Sequence, residues 1–306
     1  MAEDQDGAAP TDGGSPRDPR TRMADGAVEA LEREGRVVVA VDRLHGGTIA
    51  STYRITLDDQ TTVVLKQSRR APDDAWAIEA DGLDGLRVAG GPDVPEVIAF
   101  GDDFLVIEDF GHDIPETDEF WSAFGRRLAT LHGVTGERFG WHRENLLGLV
   151  TQDNSWNDDG WDFFGQQRLV RYLALENVER ALSPQDRADL ERVAGRLTEL
   201  VPPQPPSLVH GDLWRSNVLA TAADRPALCD PAVAYAWAEL DVSMLWCSGG
   251  VPDSCFDAYN EVRPLDGDWK ARMPLLHVRE NLSVLAHIGP DEGTVKLIRD
   301  ALRPFL

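Results

Sequence analysis

From residue 36 to about 109 the apolar positions follow a β rhythm. Arg36–Val41 is a short β-branched run, Ile49–Leu57 alternates, and Asp58-Asp59 offers a turn into a further run at Thr61–Gln67, which together read as a hairpin. Pro72 then opens a helix with Trp76, Ala80, Leu83 and Leu86 at near-helical spacing. Strands are expected at Glu96–Gly101, after Pro95, and at Phe104–Asp109. After Gly111 the period lengthens. Thr117–His132 is an amphipathic helix with Phe120, Phe124, Leu128 and Leu131 on one stripe. Trp161–Leu182 and Pro184–Leu200 read as two more helices, the second ended by the prolines at 202–206. Short strands are expected at Val218–Ala220 and Ala227–Cys229. Helix continues from Glu239 to the end, with breaks near Gly249-Gly250 and Gly289-Pro290. The pattern predicts an α+β chain with a β-rich N-lobe over 23–110, of five antiparallel strands and one main helix, and a larger, mainly α-helical C-lobe over 111–306.

Residues 1–22, rich in Asp, Gly, Pro and Ala, read as a disordered tail without the apolar core of a secretory signal. Met23 is an alternative start. No apolar run approaches the length of a membrane span. The formal net charge of -23 argues against nucleic acid and anionic lipid as partners. It also requires any site for an anion to be locally positive or to recruit metal. Lys66, Lys270 and Lys296 are the chain's lysines, so a Lys inside a strand calls for a reason. Cys229, Cys247 and Cys255 form no CxxC pair and read as buried thiols in a reducing cytoplasm.

The densest local signal is Val209-His210-Gly211-Asp212-Leu213-Trp214-Arg215-Ser216-Asn217, of the form H-x-D-x-x-x-x-N. Phosphoryl transfer wants this combination: Asp212 to accept the acceptor's hydroxyl proton, and Asn217 to turn back and hold Mg²⁺. Downstream, Asp230 ends a strand in Leu228-Cys229-Asp230-Pro231-Ala232, placed to chelate Mg²⁺ between phosphates. Upstream, Gly46-Gly47 lies where backbone N–H groups can meet phosphates. Lys66, in a strand, and Glu79, on the helix that follows, form the pair that orients an ammonium toward ATP. Glu108, Asp109 and Phe110 read as the hinge, whose backbone would bind adenine. Taken singly, each has a plainer reading: a hairpin turn for the glycines, surface charges for Lys66 and Glu79, and a capped turn for Asp212 and Asn217. Their order and spacing together point to a protein-kinase-like bilobal fold using ATP and Mg²⁺. The segment between Asp230 and Glu239 is too short to dock a peptide, which argues against a protein kinase.

With these residues in place, the chain resembles the fructosamine kinases (ketosamine 3-kinases), relatives of the aminoglycoside and choline kinases. The resemblance spans about residues 36–290. It rests on His210–Trp214, on Asp230-Pro231-Ala232 with Glu239-Leu240-Asp241, on Phe139-Gly140-Trp141 and on Asn145–Gly148. It rests also on Thr151–Trp156 leading to Trp161–Phe164 and Gln167-Arg168-Leu169, on Gly249-Gly250, on Phe256–Tyr259 and on Arg272. The resemblance implies transfer of phosphate from ATP to a sugar hydroxyl of a ketosamine, free or protein-bound, typically the 3-hydroxyl, which destabilises the glycation adduct. It implies Asp212 as base, Asn217 and Asp230 as Mg²⁺ ligands, and Lys66 with Glu79 at the phosphates.

Trp214, Trp156 and Trp161 are candidates for the sugar site, since aromatic faces suit a sugar's C–H face or a bound amine. Trp156 and Trp161 serve equally well as anchors for the segment they bracket. His210 and Asp241 are expected to support the catalytic loop, Asp241 by accepting its backbone N–H groups. Arg215-Ser216 departs from the small residue and Gly usual in the family before the Asn, and Arg215 is expected to be exposed. Asn281–His287 departs from the family's Asn/His-rich helix, which leaves the acceptor open. The alternatives are the same chemistry on an aminoglycoside, a choline-like alcohol or an amino sugar, and a non-catalytic nucleotide-binding scaffold.

Overall fold

A computed structural model describes residues 18–44, 50–111 and 113–306. Gly46 and Gly47 lie outside the described residues. The N-lobe sheet contains β1 (Val38–Arg43), β2 (Ser51–Leu57), β3 (Thr62–Gln67), β4 (Val97–Phe100) and β5 (Phe104–Glu108), all antiparallel in the order β1-β2-β3-β5-β4. Two helices accompany it, α1 (Asp25–Arg33) and α2 (Ala75–Gly85). The tail expected through residue 22 is corrected at its end. Pro19–Arg22 forms a turn of 3-10 helix, because Asp18 caps it from Arg20 N and Arg22 donates to the Val41 carbonyl. The helix α1 was not expected. It covers one face of the sheet with Ala27 and Leu31, which pack on Ile55, Val63, Leu65 and Val106.

The period of two in β3 decides the site. Val63 and Leu65 face α1, so Val64 and Lys66 face the other way. There Leu105 and Ile107 of β5 join Trp76 and Leu83 of α2 in the core that continues into the C-lobe. Lys66, opposite Leu105 in the ladder, thereby points at the helix that carries Glu79.

In the C-lobe, α3 (Asp118–His132) is capped by Thr117, and its stripe of Phe120, Phe124 and Leu128 is buried. A hairpin of β6 (Asn145–Leu147) and β7 (Val150–Gln152) follows. The helix expected over Trp161–Leu182 is divided. It runs as α4 (Gly160–Phe164), a π turn at Gly165–Leu169, a 3-10 turn at Val170–Ala174 and α5 (Glu176–Ala181). Gly165 lies close against the backbone of Ala194, where a regular helix bearing a side chain would crowd. Next come α6 (Pro184–Ala194), α7 (Leu197–Leu200), β8 (Ser207–Val209), β9 (Val218–Ala220), β10 (Pro226–Leu228) and β11 (Ala234–Ala236). The chain closes with α8 (Glu239–Ser248), α9 (Asp253–Val262), α10 (Trp269–Leu276), α11 (Val278–Ile288) and α12 (Glu292–Leu302). Antiparallel pairing of β8 with β11 and of β9 with β10 places the loops after β8 and β10 side by side.

Candidate active site

The loop after β8 carries His210 to Asn217. Gly211 has φ +81, and any Cβ there would strike the Ala232 carbonyl, so this turn requires glycine. Asp241, fully buried on α8, accepts the backbone N–H of His210 at 2.6 Å and of Gly211 at 2.8 Å. His132 of α3 holds the same carboxylate at 3.1 Å and is itself held by the Tyr259 hydroxyl at 2.8 Å. Burial works against the Asp241 charge, but the His132 hydrogen bond and the loop amides outweigh it and keep the carboxyl below its ordinary range. His210 donates from Nε2 to the Cys229 carbonyl at 2.8 Å, and its Nδ1 accepts the Asp212 N–H at 3.2 Å. His210 thereby ties the 210–217 loop to the residue before Asp230.

Asp212 sits where burial pushes its carboxyl above the usual range, partly countered by His210 and Arg279. Asn217 donates from Nδ2 to the Asp212 carbonyl at 2.8 Å, which leaves Oδ1 as its acceptor end. Asp230 has φ 57, a left-handed conformation that turns the chain sharply after β10. Lys66 Nζ lies 2.5 Å from Glu79 Oε1 and in direct contact with Asp230 Oδ1. Burial opposes the Lys66 charge, yet Asp230 and Glu79 hold the ammonium above its ordinary range. Asn217 Oδ1 and the Asp230 carboxylate are two hard oxygen donors, the chemistry that suits Mg²⁺.

Glu108 pairs in backbone with Glu96 and ends β5, while the Asp109 carboxylate is buried against Arg54 of β2, 2.5 Å from its Nε. Arg54 also reaches the Gly111 carbonyl, so the linker between lobes is pinned to the sheet. Phe110 follows, half-buried.

The tryptophans divide. Trp214 and Trp156 are 45% and 42% exposed, open enough to meet a ligand. Trp156 faces Tyr235, which faces Trp141 in turn. Trp161 instead donates its indole N–H to the Val201 carbonyl at 2.9 Å and packs on the core, as an anchor would. Arg215, expected to be exposed, is paired with Glu116 and lies over the Trp121 ring, 5.2 Å from its centroid.

A buried polar chain escaped the sequence reading. Arg279 of α11 donates to the Gly211 carbonyl and, at 2.9 Å, to Gln152 Oε1. Gln152 Nε2 donates to Asn145 Oδ1 at 3.1 Å, and Asn145 Nδ2 to the Val233 carbonyl at 2.7 Å. The β6–β7 hairpin thus links the loop carrying Asp212 to the one carrying Asp230. In Leu275–Leu285, Arg279 and Glu280 stand beside His277, Asn281 and Ser283, so no local pattern singled them out.

The fructosamine kinase family model matches residues 25–301. A "probable ketoamine kinase" of Enterococcus faecium is 30% identical over 86% of this chain and 94% of its own length. The chloroplastic protein-ribulosamine 3-kinase of Arabidopsis thaliana is 28% identical over 90% of this chain and 87% of its own. A solved structure from Thermobifida fusca, described as a "putative fructosamine-3-kinase", superposes with TM-score 0.82 at 34% identity, covering 91% of this chain and 99% of that one. The fold is the bilobal kinase-like fold, the chain is a phosphotransferase, and it belongs to the fructosamine kinase family.

Proposed function

We propose that this kinase transfers the γ-phosphoryl group of ATP to a sugar hydroxyl of ketosamines. The observation that carries the reading is the joining of Lys66, Glu79 and Asp230 through one ammonium, beside a catalytic loop clamped by Asp241. This arrangement has no evident structural purpose that an apolar contact would not serve better. It suits a site that must neutralise phosphate charge.

In this reading Glu108–Phe110 present backbone to adenine, and Lys66, steered by Glu79, meets the α- and β-phosphates. Gly46-Gly47 would supply amides to the phosphates. Asn217 and Asp230 would hold Mg²⁺, whose charge would offset that of the phosphates. Among the described residues no three His, Cys, Asp or Glu side chains converge. Asp212 orients the acceptor hydroxyl and takes its proton as the new O–P bond forms and the bond to the departing ADP breaks. The raised Asp212 carboxyl makes it a better proton acceptor than an exposed aspartate. Trp214 and Trp156 offer faces to the sugar.

A phosphate on C3, beside the ketosamine's carbonyl, is a better leaving group than hydroxide: once the C1–C2 enol eliminates it, the nitrogen is left on an imine carbon, and water hydrolyses that C–N bond to free the amine. Deglycation in the cytoplasm, of free amines or proteins, is the role this supports. No helix among the described residues is long and apolar enough to cross a membrane.

The test is ATP consumption with Mg²⁺ over ribulosamine and fructosamine derivatives of lysine, free sugars, an aminoglycoside and choline. Turnover confined to the ketosamines is the expected result. Turnover confined to another acceptor would keep the mechanism and discard the substrate. ATP binding without turnover on any acceptor would favour a scaffold.

A further inference from the structure

Glu280 is a buried carboxyl that the phosphoryl-transfer machinery does not use. It lies on α11 next to Arg279, and both of its contacts with that guanidinium fall on Oε1, that from Nε at 2.6 Å. The same Nη2 that touches Glu280 Oε1 also donates to the Gly211 carbonyl, one residue before Asp212. Two hydrogen bonds sharing one nitrogen put those two oxygens within about 6 Å of each other. A second carboxyl therefore stands beside the loop that carries Asp212.

Arg279 does not fully serve Glu280. Its guanidinium is divided among Gly211, Gln152 and Glu280. Burial pushes the Glu280 carboxyl up to about 7, despite the pull of Arg279 and with Asp212 adding to the rise. An anchored oxygen on one side, a second oxygen without a hydrogen-bond partner among the described residues, and an under-neutralised charge describe a receptor for a cation. In a ketosamine the protonated amine and the 3-hydroxyl are separated by four bonds and lie within about 5 Å of each other. A hydroxyl at Asp212 thus brings the amine into the neighbourhood of Glu280.

We propose that Glu280 is a specificity-determining residue that receives the acceptor's secondary ammonium on Oε2, while Arg279 anchors Oε1. This rests on the ketosamine reading above. It makes the enzyme select cationic amine-bearing sugars over neutral sugars of the same shape.

The test compares kcat/KM for N-methyl ribulosamine with that for the 1-O-methyl ether of ribulose, in which oxygen replaces nitrogen. Wild type should favour the amine at least tenfold. Glu280→Gln should shrink that ratio at least tenfold, and Glu280→Asp should retain most of it. A ratio of two acceptors on one protein sample cancels any loss of folded enzyme, so a destabilised variant still gives an answer. An unchanged ratio in Glu280→Gln would overturn the inference and assign Glu280 to the role of counter-ion for Arg279. Equal use of amine and ether by wild type would overturn it too, with the ketosamine reading intact. Turnover of neither would overturn that reading and this inference with it.

Discussion

Lys66 of the N-lobe sheet and Asp230 of the C-lobe are in direct ion-pair contact across the cleft, with Glu79 2.5 Å from the same ammonium. The pairing closes a circuit between lobes. It also defines a competition, since a metal at Asp230 and phosphates at Lys66 would each take one partner of the pair.

Asp230→Asn should therefore separate folding from turnover. Asparagine tolerates the left-handed backbone at this position better than alanine. The Asp230 side chain is 47% exposed, so the melting temperature should move little. Mg²⁺-dependent turnover should fall by about 10²–10³ or more. A Mg²⁺ titration of initial rates checks it, and unimpaired activity would remove Asp230 from the metal site.

Asp241→Ala leaves two loop N–H groups and His132 without their shared acceptor in a fully buried position. The expected cost is about 3 kcal/mol of folding stability. Urea unfolding measures it. The surviving folded enzyme should show a lower kcat with less change in the KM for ATP, because the loop that positions Asp212 is loosened.

Much of this was legible in the sequence. The five strands and α3 announce themselves by period, and spacing picks out the His210–Asn217 and Asp230 segments that the structure brings together. The helix α1 did not, because its buried face is only Ala27, Ala30 and Leu31 in a charged stretch. The interruption after Phe164 did not, because apolar spacing fails to distinguish α from π or 3-10 winding. Trp161 and Trp156 look alike in sequence. Only the packing of the 151–168 segment, held by Arg168 and Gln167 on the carbonyl of Asp153, sends one to the Val201 carbonyl and leaves the other open. Arg279 and Glu280 acquire meaning only through a contact with Gly211 that no local pattern reveals.

Acid should remove the contribution of one group, neutral His277, in a defined window, while the buried Glu280 carboxyl works in the opposite sense there. Burial first, and Arg279 second, lower His277 to about 4 from its ordinary 6.5, and its Nδ1 is buried without a partner among the described residues. The unfolded chain binds a proton here between pH 6.5 and 4 that the folded chain refuses. The stability from a neutral His277 is therefore full above about pH 6.5 and is lost as pH falls toward 4. Between pH 7 and pH 5 this amounts to about 2 kcal/mol. Urea unfolding at both pH values, for wild type and His277→Leu, should show a drop smaller by that amount in the variant.

The central claim is that Asp212 is the base for transfer to a ketosamine. It is tested most directly by rapid-quench single turnover of Mg²⁺-ATP and ribulosyl-lysine, wild type beside Asp212→Asn. The asparagine preserves the size of the side chain but has no carboxylate to take the hydroxyl proton. The account predicts phosphorylated ketosamine from wild type and a rate at least 10²-fold lower in the variant, with ATP binding retained. A variant that transfers phosphate at the wild-type rate would contradict it.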